Sequence, residues 1–296
     1  MTEPTESRIR VNGVELAVFD WPGEGRPIFF AHATGFHARC WDEVIRRLPG
    51  RRSIAVDMRG HGRSEKPDTE YRWRDFGHDV AALGRELGLE NAIAVGHSMG
   101  GHSITLAAAL EPGLFAGLVL VDPVILPKAA YSASKPDGEH FAARRRNEWA
   151  SPQEMFERFR DRPPYNFWEE QVLRNYCEYG LLPNPSGDGY MLACPPKIEA
   201  AIYGMSAGGD IYEEIESLDI PVRILRARSR DESAKMDMSS SPTNPNLASH
   251  FRNVVDQQFE DLTHFIPMQA PQLVASEVLA LDRRCTERLR PDVNPG

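Results

Sequence analysis

The pentapeptide Gly-His-Ser-Met-Gly at residues 96–100 stands between the apolar run 91–95 and the alanine-rich stretch 104–110. This order predicts a strand, a sharp turn and a helix. A serine on such a turn has a strained backbone and an exposed hydroxyl, and the flanking glycines let strand and helix approach closely. The helix presents its free N–H groups to negative charge that develops nearby. The pattern therefore predicts a nucleophile at Ser98.

Short, wholly apolar runs alternate with helical segments before residue 127 and again after residue 220. Such runs are typical of strands covered on both faces, as in a parallel sheet built from strand–helix–strand units. An Asn-Gly turn at residues 12–13 also predicts an N-terminal hairpin over residues 9–19. The other predicted strands are 27–31, 53–56, 91–95, 117–121, 221–225 and 254–259, and the predicted helices include 41–48, 76–87 and 271–289. The sequence therefore predicts an α/β fold.

The alternation stops after Pro127, where helical patches and many aromatic side chains follow without a convincing strand. This change predicts an α/β core over residues 1–126 and 216–296, interrupted by a helical insertion at residues 127–215. We expect most of the aromatic side chains to form a small core of the insertion, with a few lining a pocket beneath it.

Composition excludes several classes of function. The net charge is −9 and the longest basic run is Arg144-Arg145-Arg146, so nucleic acid is not an expected partner. No apolar run reaches membrane-spanning length, and the first residues lack the pattern of a signal peptide. The four cysteines show no metal-ligand spacing, so we expect reduced thiols, a cytoplasmic location and neither metal nor cofactor. Homodimerisation stays open.

A serine nucleophile needs a base, which is usually a histidine oriented by a carboxylate. His264 follows the last predicted strand and precedes the last helix. A loop there lies on the same carboxyl edge of the sheet as the serine turn, where open α/β sheets place their sites. The sequence therefore predicts His264 as the base, whereas His32, His61 and His97 are expected to be structural hydrogen-bonding residues.

Three ordered motifs make the chain resemble the α/β-hydrolase fold superfamily over nearly its whole length. They are Gly-His-Ser-Met-Gly-Gly at residues 96–101, Asp-Met-Arg-Gly-His-Gly-Arg-Ser at residues 57–64, and Ala-His-Ala-Thr-Gly-Phe at residues 31–36. The resemblance implies a mostly parallel eight-stranded sheet flanked by helices, with a helical cap inserted after the sixth strand.

The resemblance also implies an oxyanion hole. The family usually has a glycine where this chain has Ala33, and the next residue donates a backbone N–H to the oxyanion. Thr34 is therefore the expected donor, paired with the N–H of Met99. Because alanine resists positive φ, the local backbone at Ala33 is expected to differ from the family pattern.

Two aspartates compete for the role of the catalytic acid. Many relatives place the acid after the seventh strand, near Asp231, although three arginines crowd this position and favour a surface ion pair. Other members of the family, including haloalkane dehalogenases and zearalenone-type lactone hydrolases, look to carry the acid after the sixth strand instead. Asp122 occupies that position between an apolar run and Pro123, so its backbone is held firmly. We favour Asp122, whose alternative role is to hold the loop that follows.

These residues predict a serine hydrolase that cleaves small hydrophobic carboxylic esters or lactones through an acyl-enzyme on Ser98. Relatives that use an aspartate nucleophile are excluded by the serine at this position. Hydrolysis of a carbon–carbon bond and perhydrolysis fit the same residues. A ligand receptor that retains the catalytic residues is the alternative of another class.

Overall fold

A mostly parallel sheet of eight strands forms the centre of the protein, which a computed structural model describes over residues 2–132, 140–229 and 238–288. Including the three strands of a second, small sheet, the strands of the described residues are, in chain order, β1 (Thr5–Val11), β2 (Val14–Trp21), β3 (Glu24–Ala31), β4 (Arg51–Asp57), β5 (Ala92–His97), β6 (Phe115–Val121), β7 (Glu148–Trp149), β8 (Leu181–Pro183), β9 (Tyr190–Leu192), β10 (Val222–Arg226) and β11 (Val254–Gln258). The large sheet has the order β1-β2-β4-β3-β5-β6-β10-β11. The expected fold class is confirmed.

The N-terminal strands supply the antiparallel part of this sheet. β1 pairs with β2 and β2 with β4 in antiparallel register, whereas all later neighbours in the sheet are parallel. Asn12 and Gly13 both have positive φ, 49° and 78°, as a tight hairpin turn requires. The predicted hairpin is therefore confirmed, with strands slightly longer than the pattern indicated.

Helices cover both faces of the sheet. They are α1 (Asp42–Arg46), α2 (Trp73–Glu86), α3 (Met99–Leu110), α4 (Lys128–Tyr131), α5 (Pro152–Phe159), α6 (Glu170–Tyr179), α7 (Pro196–Gly204), α8 (Tyr212–Ser217), α9 (Ile266–Gln269) and α10 (Pro271–Arg288). On β3 the side chain of Phe29 joins the core beneath α2 and α3, and that of Phe30 joins the core beneath α10. No helix of the described ranges is long and apolar enough to cross a membrane.

The expectation that no strand lies between Pro127 and Pro221 is wrong. The short strands β7, β9 and β8 form a separate antiparallel sheet in that order. Strands of two or three residues are too short to show the alternation that identifies a strand in a sequence.

The aromatic side chains of residues 127–215 do not pack only against one another. Trp149, Phe156, Trp168 and Tyr176 share one buried cluster with Phe265, which follows the predicted base. The segment that contains these four residues is therefore packed directly onto the loop that carries His264.

Candidate active site

Ser98 lies on a strained turn between β5 and α3. Its backbone has φ 57° and ψ −118°, a conformation that costs a non-glycine residue about 1–3 kcal/mol. The Ser98 N–H donates to Val121 O at 3.1 Å, and its carbonyl accepts from Val124 N at 3.1 Å. These bonds hold the turn against the end of β6 and so fix the direction of the hydroxyl.

The glycines of the pentapeptide are required by close backbone approach. A Cβ added to Gly96 would lie 2.4 Å from the carbonyl oxygen of Gly100. A Cβ on Gly100 would lie 2.2 Å from the carbonyl oxygen of Ala31. Any side chain at either position would push α3 away from the sheet, so the sharp turn depends on both glycines.

The structure brings Ser98, His264 and Asp122 into one hydrogen-bonded row. His264 Nε2 lies 3.0 Å from Ser98 Oγ, and His264 Nδ1 lies 2.6 Å from Asp122 Oδ2. The exposed fractions are 6% for the serine, 3% for the histidine and 0% for the aspartate. The carboxylate therefore faces an imidazole N–H in a site shielded from water, the arrangement in which a histidine takes a proton from serine.

The second carboxylate oxygen of Asp122 accepts hydrogen bonds from several donors that were not predicted from the sequence. Oδ1 accepts from Ala227 N at 3.0 Å, from Ser241 Oγ at 2.5 Å and, more distantly, from Thr243 Oγ1 at 3.4 Å. The backbone of Asp122 is itself in the left-handed region, with φ 44°. The only hint in the sequence is the hydroxyl-rich run at residues 239–243, which has no recognisable spacing to the aspartate. The competing acid, Asp231, lies outside the described residues.

Hydrogen bonds on both sides fix the backbone of His264. Its N–H donates to Met238 O at 3.2 Å, and its carbonyl accepts from His97 Nε2 at 2.8 Å. The His97 and His264 rings also lie 4.9 Å apart, centroid to centroid. Burial keeps the pKa of His97 well below its usual value, so this ring is neutral and serves as a donor to the carbonyl. This agrees with the structural role expected for His97.

The expected oxyanion segment forms a tight turn beside the nucleophile. Phe36 N donates to Ala33 O at 3.1 Å, and Gly35 carries the positive φ of the turn, 80°. Ala33 is not in the positive-φ region, so alanine is tolerated where the family has glycine. Thr34 Oγ1 donates to Met99 Sδ at 3.3 Å and so joins the two residues whose amides are the expected donors.

The amides of Thr34 and Met99 are the expected donors to an oxyanion. The Thr34 N–H donates to no protein acceptor in the described part of the chain. Met99 is the first residue of α3, where a helix leaves its N–H groups without intrahelical partners. The two amides are therefore suited to hold an oxyanion.

Aromatic side chains surround the turn on the side that faces Trp168 and Tyr176. Between ring centroids, Phe36 lies 5.8 Å from Trp168 and 5.3 Å from Tyr176, and Trp168 lies 5.3 Å from Phe265. The surroundings of the site on this side are therefore largely apolar.

An ion pair between Arg145 and Glu199 lies against the expected oxyanion segment. The buried carboxylate of Glu199 pairs with Arg145, which also donates to the Tyr176 hydroxyl at 2.9 Å. A Cβ added to Gly35 would lie 2.7 Å from Glu199 Oε1, which shows how closely this carboxylate approaches the turn. Burial raises the pKa of Glu199, and the guanidinium opposes that rise.

No group of three histidine, cysteine, aspartate or glutamate side chains in the described ranges is arranged to hold a metal ion. The four cysteines are buried, and none of them is in a disulfide bond in the described residues.

Comparison with known proteins places this geometry in context. The chain is 29% identical to a non-heme chloroperoxidase of Streptomyces lividans over 288 residues, which cover 91% of this chain and 96% of the relative. It is 32% identical over 130 residues to a bifunctional esterase/perhydrolase of Acinetobacter calcoaceticus, covering 43% of this chain and 47% of that one.

A solved structure and a family profile cover most of the molecule. The crystal structure of E-2-(acetamidomethylene)succinate hydrolase matches 95% of this chain and 99% of its own, with a TM-score of 0.72 and 25% identity. The sequence profile described as the alpha/beta hydrolase family matches residues 28–278. Together with the eight-stranded sheet and the serine turn, this match shows that the chain belongs to the α/β-hydrolase family.

Proposed function

We propose that the protein is a serine hydrolase that cleaves carboxylic esters or lactones through an acyl-enzyme on Ser98. The observation that carries the proposal is the hydrogen-bonded row from Ser98 Oγ through His264 to Asp122, at 3.0 Å and 2.6 Å. A buried row of this kind, beginning at a serine on a strained turn, suits acyl transfer.

In this mechanism Ser98 Oγ attacks the substrate carbonyl while His264 Nε2 takes the hydroxyl proton. Asp122 stabilises the imidazolium that forms, and the N–H groups of Thr34 and Met99 hold the negative oxygen of the tetrahedral intermediate. His264 then gives its proton to the leaving alcohol as the carbon–oxygen bond breaks. A water that loses a proton to the same nitrogen then attacks the acyl-enzyme. His264 passes this proton to Ser98 Oγ as the acyl carbon–oxygen bond breaks, which releases the acid and restores the serine.

The substrate class follows from the surroundings of the site. Phe36, Trp168 and Phe265 form an apolar wall, which favours a hydrophobic acyl or alcohol group. We propose that residues 127–215 act as the cap over this site and that the rest of the chain is the core domain. A cytoplasmic location belongs to the same proposal and is supported by the four buried cysteines, which form no disulfide bond in the described residues.

Perhydrolysis is the second candidate, and the names of the relatives favour it. One relative is a non-heme chloroperoxidase and another is a bifunctional esterase/perhydrolase. In that reaction hydrogen peroxide replaces water as the attacking group on the same acyl-enzyme, and the product is a peracid. The two reactions are separated by measuring the acid and the peracid released from one ester at increasing peroxide concentration.

The proposal is tested with a nitrophenyl ester and a fluorophosphonate probe. The wild type is expected to release nitrophenol in a burst and to be labelled by the probe, and Ser98→Ala is expected to show neither. Ser103→Ala is the matched control, because it removes another buried hydroxyl of α3, which donates to Met99 O. Unchanged turnover in Ser98→Ala would refute the proposal.

The same experiment separates an enzyme from a receptor. An enzyme continues to release nitrophenol after the burst, at a steady rate. A single turnover without a steady phase would favour the receptor alternative. A panel of esters and lactones with increasing acyl length then defines the substrate, and turnover confined to polar substrates would contradict the apolar wall.

A further inference from the structure

Two buried histidines hold the peptide that carries the oxyanion donor. His32 Nδ1 lies 2.8 Å from the carbonyl oxygen of Ala33. That carbonyl belongs to the peptide unit whose other end is the N–H of Thr34. A trans peptide is planar, with its C=O and N–H pointing in opposite directions. A bond that fixes the carbonyl of Ala33 therefore fixes the direction of the Thr34 N–H.

The second histidine holds the next peptide of the same turn. His61 Nε2 accepts from Gly35 N at 3.0 Å, and His61 Nδ1 lies 2.9 Å from Arg59 O. The residue comes from the motif at residues 57–64, which follows β4. Thr34 thus lies between a carbonyl held by one ring and an amide held by the other.

The backbone partners determine the protonation of both rings. Met58 N donates to His32 Nε2 at 2.9 Å, so this nitrogen has no proton and Nδ1 is the donor to Ala33 O. His61 is in the same state, because Gly35 N donates to its Nε2. Both side chains are almost fully buried, and burial lowers the pKa of His32 to about 4 and that of His61 well below its usual value. Both rings are neutral near pH 7.

We propose that His32 and His61 are positioning residues for the oxyanion hole, acting from opposite sides of Thr34. The inference rests on the proposed function, since it requires Thr34 N to bind the oxyanion. Each ring joins the turn to the segment after β4, because His32 also accepts from Met58 N and His61 also donates to Arg59 O. The rings contact each other at 4.9 Å between centroids.

The effect on the reaction follows from geometry and polarity. A donor bound to the Ala33 carbonyl polarises the peptide and strengthens its N–H as a donor. If the bond from His32 is lost, Ala33 O keeps only the bond from Phe36 N, and the peptide can tilt so that the Thr34 N–H is misaligned with the oxyanion. Loss of one oxyanion donor lowers kcat by about 10²–10³-fold, and partial misalignment is expected to lower it by about tenfold or more. The effect falls on kcat, because the oxyanion exists only after attack.

The two histidines use opposite nitrogens for the turn, and this allows a crossed test. Asparagine replaces the Nδ1 donor of histidine, whereas the carbonyl oxygen of glutamine replaces an Nε2 acceptor. His32→Asn keeps the bond to Ala33 O, and His32→Gln keeps only the bond from Met58 N. His61→Gln keeps the bond from Gly35 N, and His61→Asn keeps only the bond to Arg59 O.

The proposal predicts that the rank of the two substitutions reverses between the positions. At position 32, asparagine is expected to give the higher kcat, and at position 61 glutamine is expected to do so, each by about tenfold. KM should change little within each pair. The free energy of unfolding is measured for all four variants, because each one loses one buried hydrogen bond and should be destabilised similarly.

Several outcomes would overturn the inference. One is the same rank of asparagine and glutamine at both positions, and another is a loss that appears in KM. A kcat that follows only the free energy of unfolding would show a merely structural role. If one variant does not fold, the pair at the other position decides. A wild type that the fluorophosphonate does not label refutes the proposed function as well, whereas a labelled wild type without the reversal refutes only this inference.

Discussion

His264 Nδ1 lies 2.6 Å from Asp122 Oδ2, although 142 positions separate the two residues in the chain. Asp122 follows β6 and His264 follows β11, and these strands are parallel to β10, which lies between them. The carboxyl ends of all three strands therefore meet at one edge of the sheet. Ser98 follows β5 on the other side of β6 and completes the row.

Asp122→Asn is expected to lower the rate of acylation by about 10⁴-fold with little change in fold, because an amide favours the wrong imidazole tautomer. The burst rate with a nitrophenyl ester measures this. Asp231→Asn is the comparison and is expected to change the rate little. The opposite pattern would move the acid to Asp231.

Ser241→Ala is expected to lower the free energy of unfolding by about 1.5–3 kcal/mol, because it removes a hydrogen bond to a buried carboxylate. The Ser241 hydroxyl lies 2.5 Å from Asp122 Oδ1 and is 8% exposed as a residue. Urea unfolding measures the change. Ser249→Ala removes an exposed hydroxyl that donates to Asn246 O and should cost far less. Equal losses would contradict the role of Ser241 as a support for the acid.

Gly35→Ala is expected to lower both stability and kcat, whereas Gly13→Ala should lower stability alone. The two glycines have nearly the same φ, 80° and 78°, so alanine meets the same backbone strain of about 1–2 kcal/mol at either position. Only at Gly35 does the added Cβ meet another group, Glu199 Oε1 at 2.7 Å, while nothing lies within 4 Å at Gly13. Steady-state kinetics and urea unfolding of both variants test this. Equal kcat values would show that the turn tolerates displacement.

Arg145→Leu is expected to destabilise the protein by about 3 kcal/mol or more, because it leaves the carboxylate of Glu199 buried without its partner. The side chain of Glu199 is 6% exposed and that of Arg145 is 22% exposed, so Glu199→Leu should cost less. The double variant with leucine at both positions should recover much of the loss. Denaturant unfolding of the three variants checks this order, and a double variant less stable than Arg145→Leu would refute it.

His102 makes stability depend on pH. Burial lowers its pKa from 6.5 to about 4, and its Nε2 lies 2.7 Å from Gly209 O. As the pH falls from about 6.5 towards 4, the unfolded chain binds a proton at this residue that the folded protein does not bind. The free energy of unfolding therefore decreases in this window, by up to about 1.4 kcal/mol per pH unit from this group.

His102→Gln removes the titrating imidazole and therefore tests whether His102 causes this pH dependence. The wild type should lose stability relative to the variant as the pH falls from 7 to 5, and urea unfolding at several pH values measures the difference. Other titrating groups are common to both proteins and cancel. A difference that stays constant with pH would contradict the assignment.

Much of the fold could be predicted because its signals are local. Wholly apolar runs identified the buried strands, and the turn at Asn12 identified the hairpin. Boundaries were less certain: the helix predicted at residues 41–48 is α-helical only over Asp42–Arg46, after a turn of 3₁₀ helix at Ala38–Trp41. The strands β7 to β9 could not be predicted, since their pairing depends on partners distant in sequence.

The sequence by itself determined the sheet, the position of Ser98 on a turn between strand and helix, and the position of His264 after the last strand. Residues adjacent in the chain are enough to define such features. Tertiary structure alone brought Asp122 to His264, gathered Ala227 and Ser241 around the carboxylate, and placed His32 and His61 on either side of Thr34. These contacts join distant segments, and a hydrogen bond is lost when its length or angle changes too far. Only the packing of the whole chain sets distances with that precision.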